Sequence, residues 1–423
     1  MKLKAELWDK IQYLFRNYYD RMIHGVYYLE GKLDKDILAK TIKLILQRVP
    51  VLRSRYVANH FKPYWKVEEG NFVDDVLSFK ETMDLEKDLD RFITSRFESN
   101  RAPQIRINLF RNKTTDTLAI LVNHQCMDGS DLKELVNKIV EVYNSMLKGD
   151  TGEISIKSGS RANEQVYSSM SLENKKKAKG MYKNISKTKH KIAFPLTEKS
   201  KDDKPMIIKH KINAKTFVKL KQYGKSFNST INDVLLAAYF RTLYKMIDIN
   251  ENQSITIPCM TDLRKHIKTG QTQGFTNLTC LIPCTIDSVG QEFSTTLKKV
   301  SKEMSAYKND LFVGLSAIPL LELAYKVAPS SIAELLIKAG YTNPFIGMSN
   351  IGIIDDSKLV WGNVKTKDAF MTGAIKYKPY MQLALTTFKQ EITLTISIYG
   401  TKDDKKVIEK FFKLYDDELK NAI

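Results

Sequence analysis

The stretch TLAILVN (117–123), HQCMDGSD (124–131), LKELVNKIVEVYNSM (132–146) changes its periodicity twice, and those two changes decide how the chain folds. Residues 117–123 are almost uniformly apolar, the pattern of a strand covered on both faces. From Leu132 onward, Leu135, Val136, Ile139, Tyr143 and Met146 recur three or four residues apart, which is one face of an α-helix. Ser130 or Asp131 is placed to cap that helix. His124 therefore stands on a short loop between a buried strand and an amphipathic helix.

Upstream, Ile105, Ile107 and Leu109 alternate with Arg106 and Asn108, a half-buried strand that turns at Arg111–Asp116 into the 117–123 strand. Further back lie a strand over 22–30 and a helix capped by Asp34, with Ile37, Leu38, Ile42, Ile45, Leu46 and Val49 on one face and Pro50 as its stop. Another helix follows Asp84. Downstream of residue 149 glycine, serine and lysine replace apolar periodicity until about 205. This reads as a crossover linker, 151–205, between an N-terminal subdomain, 1–150, and a C-terminal one, 206–423. The second part holds a strand at 206–212, a helix at 214–225 and a nearly all-apolar helix behind Ser229 and Thr230. Helices near 291–307, 311–327 and 331–338 come next. Strands follow near 346–352, 368–375, 382–389 and 391–399, and a final helix starts near 404. Each half is α+β.

At 423 residues the chain exceeds one ordinary hydrophobic core, and 43% apolar with 10% aromatic residues is globular. No apolar run approaches the roughly 18 to 20 residues that span a bilayer. The charged N-terminus lacks a secretory signal pattern, so a soluble, cytoplasmic protein is expected. Cys126, Cys259, Cys280 and Cys284 are too scattered for a disulfide framework, and no histidine lies near Cys280 and Cys284, so buried thiols are expected and no metal site. The net charge is +19. Its one concentration is Lys175, Lys176, Lys177, Lys179, Lys183, Lys187, Lys189 and Lys191, read as a solvated face or linker, with docking of an anionic donor as the alternative. The lysines lack interleaved aromatics, so nucleic acid ranks last among partners.

Of the six histidines (24, 60, 124, 190, 210 and 266), only His124 leaves a buried strand just before an aspartate and a glycine. A strand end holds the imidazole rigidly while the loop opens it to a cleft, and neutral imidazole accepts a proton near working pH. Asp128 can fix the loop by pairing with an arginine. Gly129 permits either an unusual backbone conformation or a close approach that a side chain would block.

Val122–Leu132, VNHQCMDGSDL, resembles the HxxxDG motif of the chloramphenicol-acetyltransferase-like superfamily, which includes condensation domains and alcohol acyltransferases. Further likenesses fall in the same order: PVLRSRY (50–56), APQIR (102–106), NDVLLAA (232–238), TDLR (261–264), GFTNLT (274–279) and SNIG (349–352). The resemblance implies two similar α+β subdomains, each a mixed or largely antiparallel sheet with helices, and an active-site channel between them with His124 as general base. It implies that Asp128 turns away from the imidazole to pair with Arg264, and that an oxyanion donor stands near the thioester carbonyl. Ser349, Asn350 and Thr386 are candidates for that donor or for substrate contact. No permanently bound cofactor is implied; acyl-coenzyme A or an acyl-carrier thioester is the co-substrate, and a small alcohol or amine is the acceptor. Asn123 departs from the double-histidine version of the motif, and the "DFGWG" element of plant enzymes is absent. These departures favour a stand-alone transferase over an assembly-line domain. The alternative is a non-catalytic protein of the same fold that recruits a carrier protein.

Overall fold

The computed structural model describes residues 1–150, 156, 159–181, 192–247, 249, 253–268 and 273–423. In the first of two six-stranded sheets, Thr115–Asn123 lies between Met22–Leu29 and Ile105–Asn112, antiparallel to both. That central position explains its uniformly apolar sequence. One face packs against the helices Lys35–Arg48 and Gly129–Leu147 through Leu38, Ile42, Ile45, Leu132, Leu135 and Ile139. The other face is covered by Leu85–Ile93, where Leu89 and Ile93 meet Phe110, Ala119 and Leu121. Asp34 and Asp84 cap their helices by accepting from backbone N–H groups.

The second sheet runs, edge to edge, through Thr279–Ile286, Ile255–Asp262, Met348–Ile353, Leu383–Phe388, Glu391–Gly400 and Lys204–Ile212. The apolar helix Ile231–Met246 packs under it beside Phe293–Asn309 and Lys402–Lys420. The two halves are thus alike in construction, each a mixed sheet with helices against it.

Several boundaries differ from the sequence reading. The strand near 368–375 runs from Val364 to Thr372 and joins the first sheet, antiparallel to Met22–Leu29 with Thr372 opposite His24. The 206–423 segment is therefore not self-contained. The physical reason is that a buried strand's pattern specifies burial and not which sheet supplies it. The segment Leu7–Leu14 is a helix whose Leu7, Ile11 and Leu14 pack on Leu263, Leu278, Leu315 and Ile318 of the C-terminal half. Part of the linker is packed there too, through Val166, Tyr167 and Ala178. The 311–327 helix begins only at Ile318, after a turn in which Gly314 has φ +76° and a Cβ would fall 2.7 Å from Leu263. In the lysine run, Lys176, Lys177 and Lys179 are exposed, as on a solvated helix face, with Lys175 and Lys179 ion-paired to Glu164 and Lys177 over the Phe312 ring. Lys183, Lys187, Lys189 and Lys191 lie outside the described residues. Among the described residues no helix is long and apolar enough to cross a membrane.

Candidate active site

The loop after Thr115–Asn123 is held from three directions. The helix cap is Asp128 rather than Ser130 or Asp131: its carboxylate accepts from Asp131 N at 3.1 Å. The other carboxylate oxygen accepts from Leu278 N at 2.8 Å and from Arg264 Nη1 at 2.9 Å. Arg264 also contacts Asp131 at 3.0 Å and Asp262 at 3.1 Å, and donates to Thr276 O. Burial alone would raise the Asp128 carboxyl, but the Arg264 charge and these hydrogen bonds outweigh it and hold it below the usual carboxylate range. Asp128 is thus a structural anion that ties the loop to the C-terminal half.

The second tie is Arg161, in the linker. Its guanidinium makes two 2.9 Å contacts with the Asp9 carboxylate and donates to Phe275 O and Cys126 O. The third is Asn277. Its amide donates to His124 O at 2.7 Å and Gln125 O at 3.2 Å, which fixes the amide's orientation and turns Oδ1 toward His124 Nδ1 at 2.9 Å. Met127 O lies 3.1 Å from the same nitrogen. Two oxygen acceptors face Nδ1, so the neutral ring carries its proton there and leaves the lone pair on Nε2. Burial pushes the His124 pKa below its ordinary value, and the charge of Lys376 adds to that push. The ring is therefore neutral at physiological pH, the state a general base needs.

His124 lines a cavity of about 560 Å³ whose walls come from both halves of the molecule: Ile23 and Met371 from the first sheet, Met260 and Ser349 from the second. Among the described histidines only His124 reaches it. Asp128 and Gly129 border it as well. A Cβ on Gly129 would stand 3.1 Å from Ile351 Cγ2, so close approach, not unusual backbone, explains this glycine. Of the three candidates for oxyanion or substrate contact, Ser349 lines the cavity. Asn350 also lines it, but both ends of its amide are engaged, with Asn232 Oδ1 at 3.0 Å and Gly352 N at 2.9 Å. Thr386 is buried on Leu383–Phe388, its hydroxyl facing Met371 N, and is not among the residues that line the cavity. The strand's alternation turns that side chain between the sheets.

Asn123, where a double-histidine motif has its first histidine, points inward, donating to Gln104 Oε1 at 2.7 Å and accepting from Gln125 N at 3.0 Å. It braces the loop and leaves the cavity to His124. Nothing in the local pattern marks Arg161, and the one sequence signal for Asn277 is its place in GFTNLT (274–279).

A comparison with curated protein sequences finds no match. Among solved structures, the fold is similar to TRI3 trichothecene 15-O-acetyltransferase from Fusarium sporotrichioides (TM-score 0.73, 12% identity, 100% of this chain and 94% of that one). It is also similar to the first condensation domain of the calcium-dependent antibiotic synthetase (0.70, 14%, 99% and 96%) and to polyketide synthase associated protein 5 from Mycobacterium tuberculosis (0.68, 13%, 98% and 96%). The condensation-domain family model matches residues 14–325, most of the length and the whole loop around His124, and the chain belongs to the condensation-domain family.

Proposed function

We propose that this protein moves an acyl group from a coenzyme A or carrier-protein thioester to a hydroxyl or amine of a small molecule, with His124 as general base. The observation that carries the reading is the pair of acceptors, Asn277 Oδ1 and Met127 O, on Nδ1 of the cavity-lining His124: they assign the proton to Nδ1 and leave Nε2 as the base. Nε2 takes the proton of the acceptor as its oxygen or nitrogen attacks the thioester carbonyl. A tetrahedral intermediate forms, its oxyanion served by the Ser349 hydroxyl. Collapse breaks the carbon–sulfur bond, and the imidazolium returns its proton to the departing thiolate. The ester or amide and a free thiol are the products. The named activity of the TRI3 neighbour, O-acetyl transfer, is of this class.

The test is thiol release from a panel of acyl-coenzyme A and acyl-carrier thioesters with mixed alcohol and amine acceptors. His124→Ala should lower turnover by about 10²–10⁴-fold, the usual contribution of a general base, with an unchanged melting transition. Turnover near the parent's in that variant would remove His124 from the chemistry.

A further inference from the structure

The cavity wall carries two lysines among the described residues, Lys133 and Lys376. Lys133 is engaged: its ammonium donates to Ile351 O at 2.6 Å and Ile353 O at 3.4 Å. The two wall carboxylates, Asp128 and Asp262, are both bound to Arg264. Lys376 is different. Its ammonium sits 3.8 Å above the centre of the Tyr19 ring, and no described carboxylate ion-pairs with it.

The position is built rather than incidental. Lys376 lies where the chain returns from the first sheet to the second, bridged on one side to Tyr19 and on the other to Ile398. Its N–H donates to Ser397 O at 2.9 Å and its carbonyl accepts from Tyr399 N at 2.8 Å, so the backbone cannot swing away. Asp20 is the nearby acid, but its carboxyl is turned inward: Oδ1 accepts from Met22 N and Ile375 N, both at 3.0 Å, and Oδ2 has no partner. Burial holds that carboxyl up at about 7, so at neutral pH it is an incomplete counter-ion. Phe15, Tyr19, Tyr341 and Met381 line the same cavity, together with polar residues such as Gln12 and Gln382. A half-buried cation in such a place faces the cavity without an ion-paired anion, and a ligand carboxylate would supply one in a charge-assisted hydrogen bond.

We infer that Lys376 anchors the carboxylate of an amphipathic substrate whose apolar body fills the cavity beside His124. This rests on the acyl-transfer reading for the word substrate, and names that substrate's class: an apolar acid with its free carboxylate retained, of a size suited to a pocket of about 560 Å³.

The probes are decanoate and decan-1-ol, equal in chain length and different in charge, each displacing the neutral dye N-phenyl-1-naphthylamine from the full chain. Decanoate should bind at least about tenfold more tightly than decanol, although the alcohol is the more readily desolvated. Lys376→Met should remove that margin, Lys376→Gln should do the same, and Lys376→Arg should keep most of it. Decanol affinity should stay within about twofold in all three, which shows an intact cavity. Equal affinity for the two probes in the parent, or an unchanged margin in both neutral variants, overturns the inference. Binding is read without turnover, so a chain that transfers no acyl group but holds decanoate through Lys376 would lose the transferase reading and keep this site.

Discussion

Two acid–base neighbourhoods flank His124, and they are built in opposite ways. Around Asp128 and Arg264 the charges are in direct contact: three carboxylates share one guanidinium, and backbone N–H groups of Leu278, Asp131 and Thr276 donate to the two buried ones. Around Asp20 and Lys376 the charges stay apart, one carboxylate oxygen has no partner, and the ammonium rests on an aromatic face. The first arrangement holds a shape, because its ion pairs are made within the protein and join the histidine loop to the C-terminal half. The second leaves binding capacity open at the cavity wall, and the burial that makes it costly also makes it selective.

The largest effect should come from cutting the Asp128–Arg264 cluster. Arg264→Ala should cost about 3–5 kcal/mol of stability, because it strands the buried Asp128 and Asp131 carboxylates; Asp128→Ala should cost less, because Arg264 keeps Asp131 and Asp262, and the double variant should cost less than the sum of the two. Chemical denaturation of the four proteins measures this; additive losses would mean that the two residues do not act as one unit.

The open pair should respond in the other direction. Asp20 binds a proton in the folded protein up to about pH 7, whereas the unfolded chain releases it near its ordinary 3.8. The folded state then holds more protons across that window, so parental stability falls as pH rises through it. Asp20→Asn keeps a carbonyl oxygen for Met22 N and Ile375 N but cannot ionise. Its melting temperature should gain on the parent's from about pH 4 to about pH 7 and hold a constant lead above. Parallel curves across that range would erase the contrast with Asp128.

A smaller effect links the open pair to the chemistry. The Lys376 charge helps keep the His124 ring neutral, so Lys376→Met should raise the imidazole pKa and move the acid limb of kcat/KM to higher pH. A limb that stays in place would separate the two residues electrostatically.

Local pattern carried much of this. The apolar run 117–123, the three- and four-residue spacing after Leu132 and the acidic caps at Asp34 and Asp84 are properties of neighbours in sequence, and the elements appear where those patterns put them. The cap falls at Asp128, two or three residues before the local pattern places it, because Ser130 is as competent a cap in isolation and the Arg264 and Leu278 contacts on the Asp128 carboxylate favour the earlier residue. The helix Leu7–Leu14 went unread because its stripe makes sense only against Leu263 and Ile318, over two hundred residues away.

By itself, the amino-acid order determined that a strand, a histidine loop and a helix succeed one another, that both halves mix α and β, and that His124 alone among the six histidines follows a buried strand and precedes an aspartate and a glycine. Those follow from side-chain period and from capping chemistry, which act within a few residues. Only the tertiary structure decided which sheet receives Val364–Thr372, which imidazole nitrogen is free, and where an unpaired ammonium meets the cavity. Each of these depends on groups brought together from far apart in the chain, Asn277 to His124 and Lys376 to Tyr19, and no local propensity records such meetings.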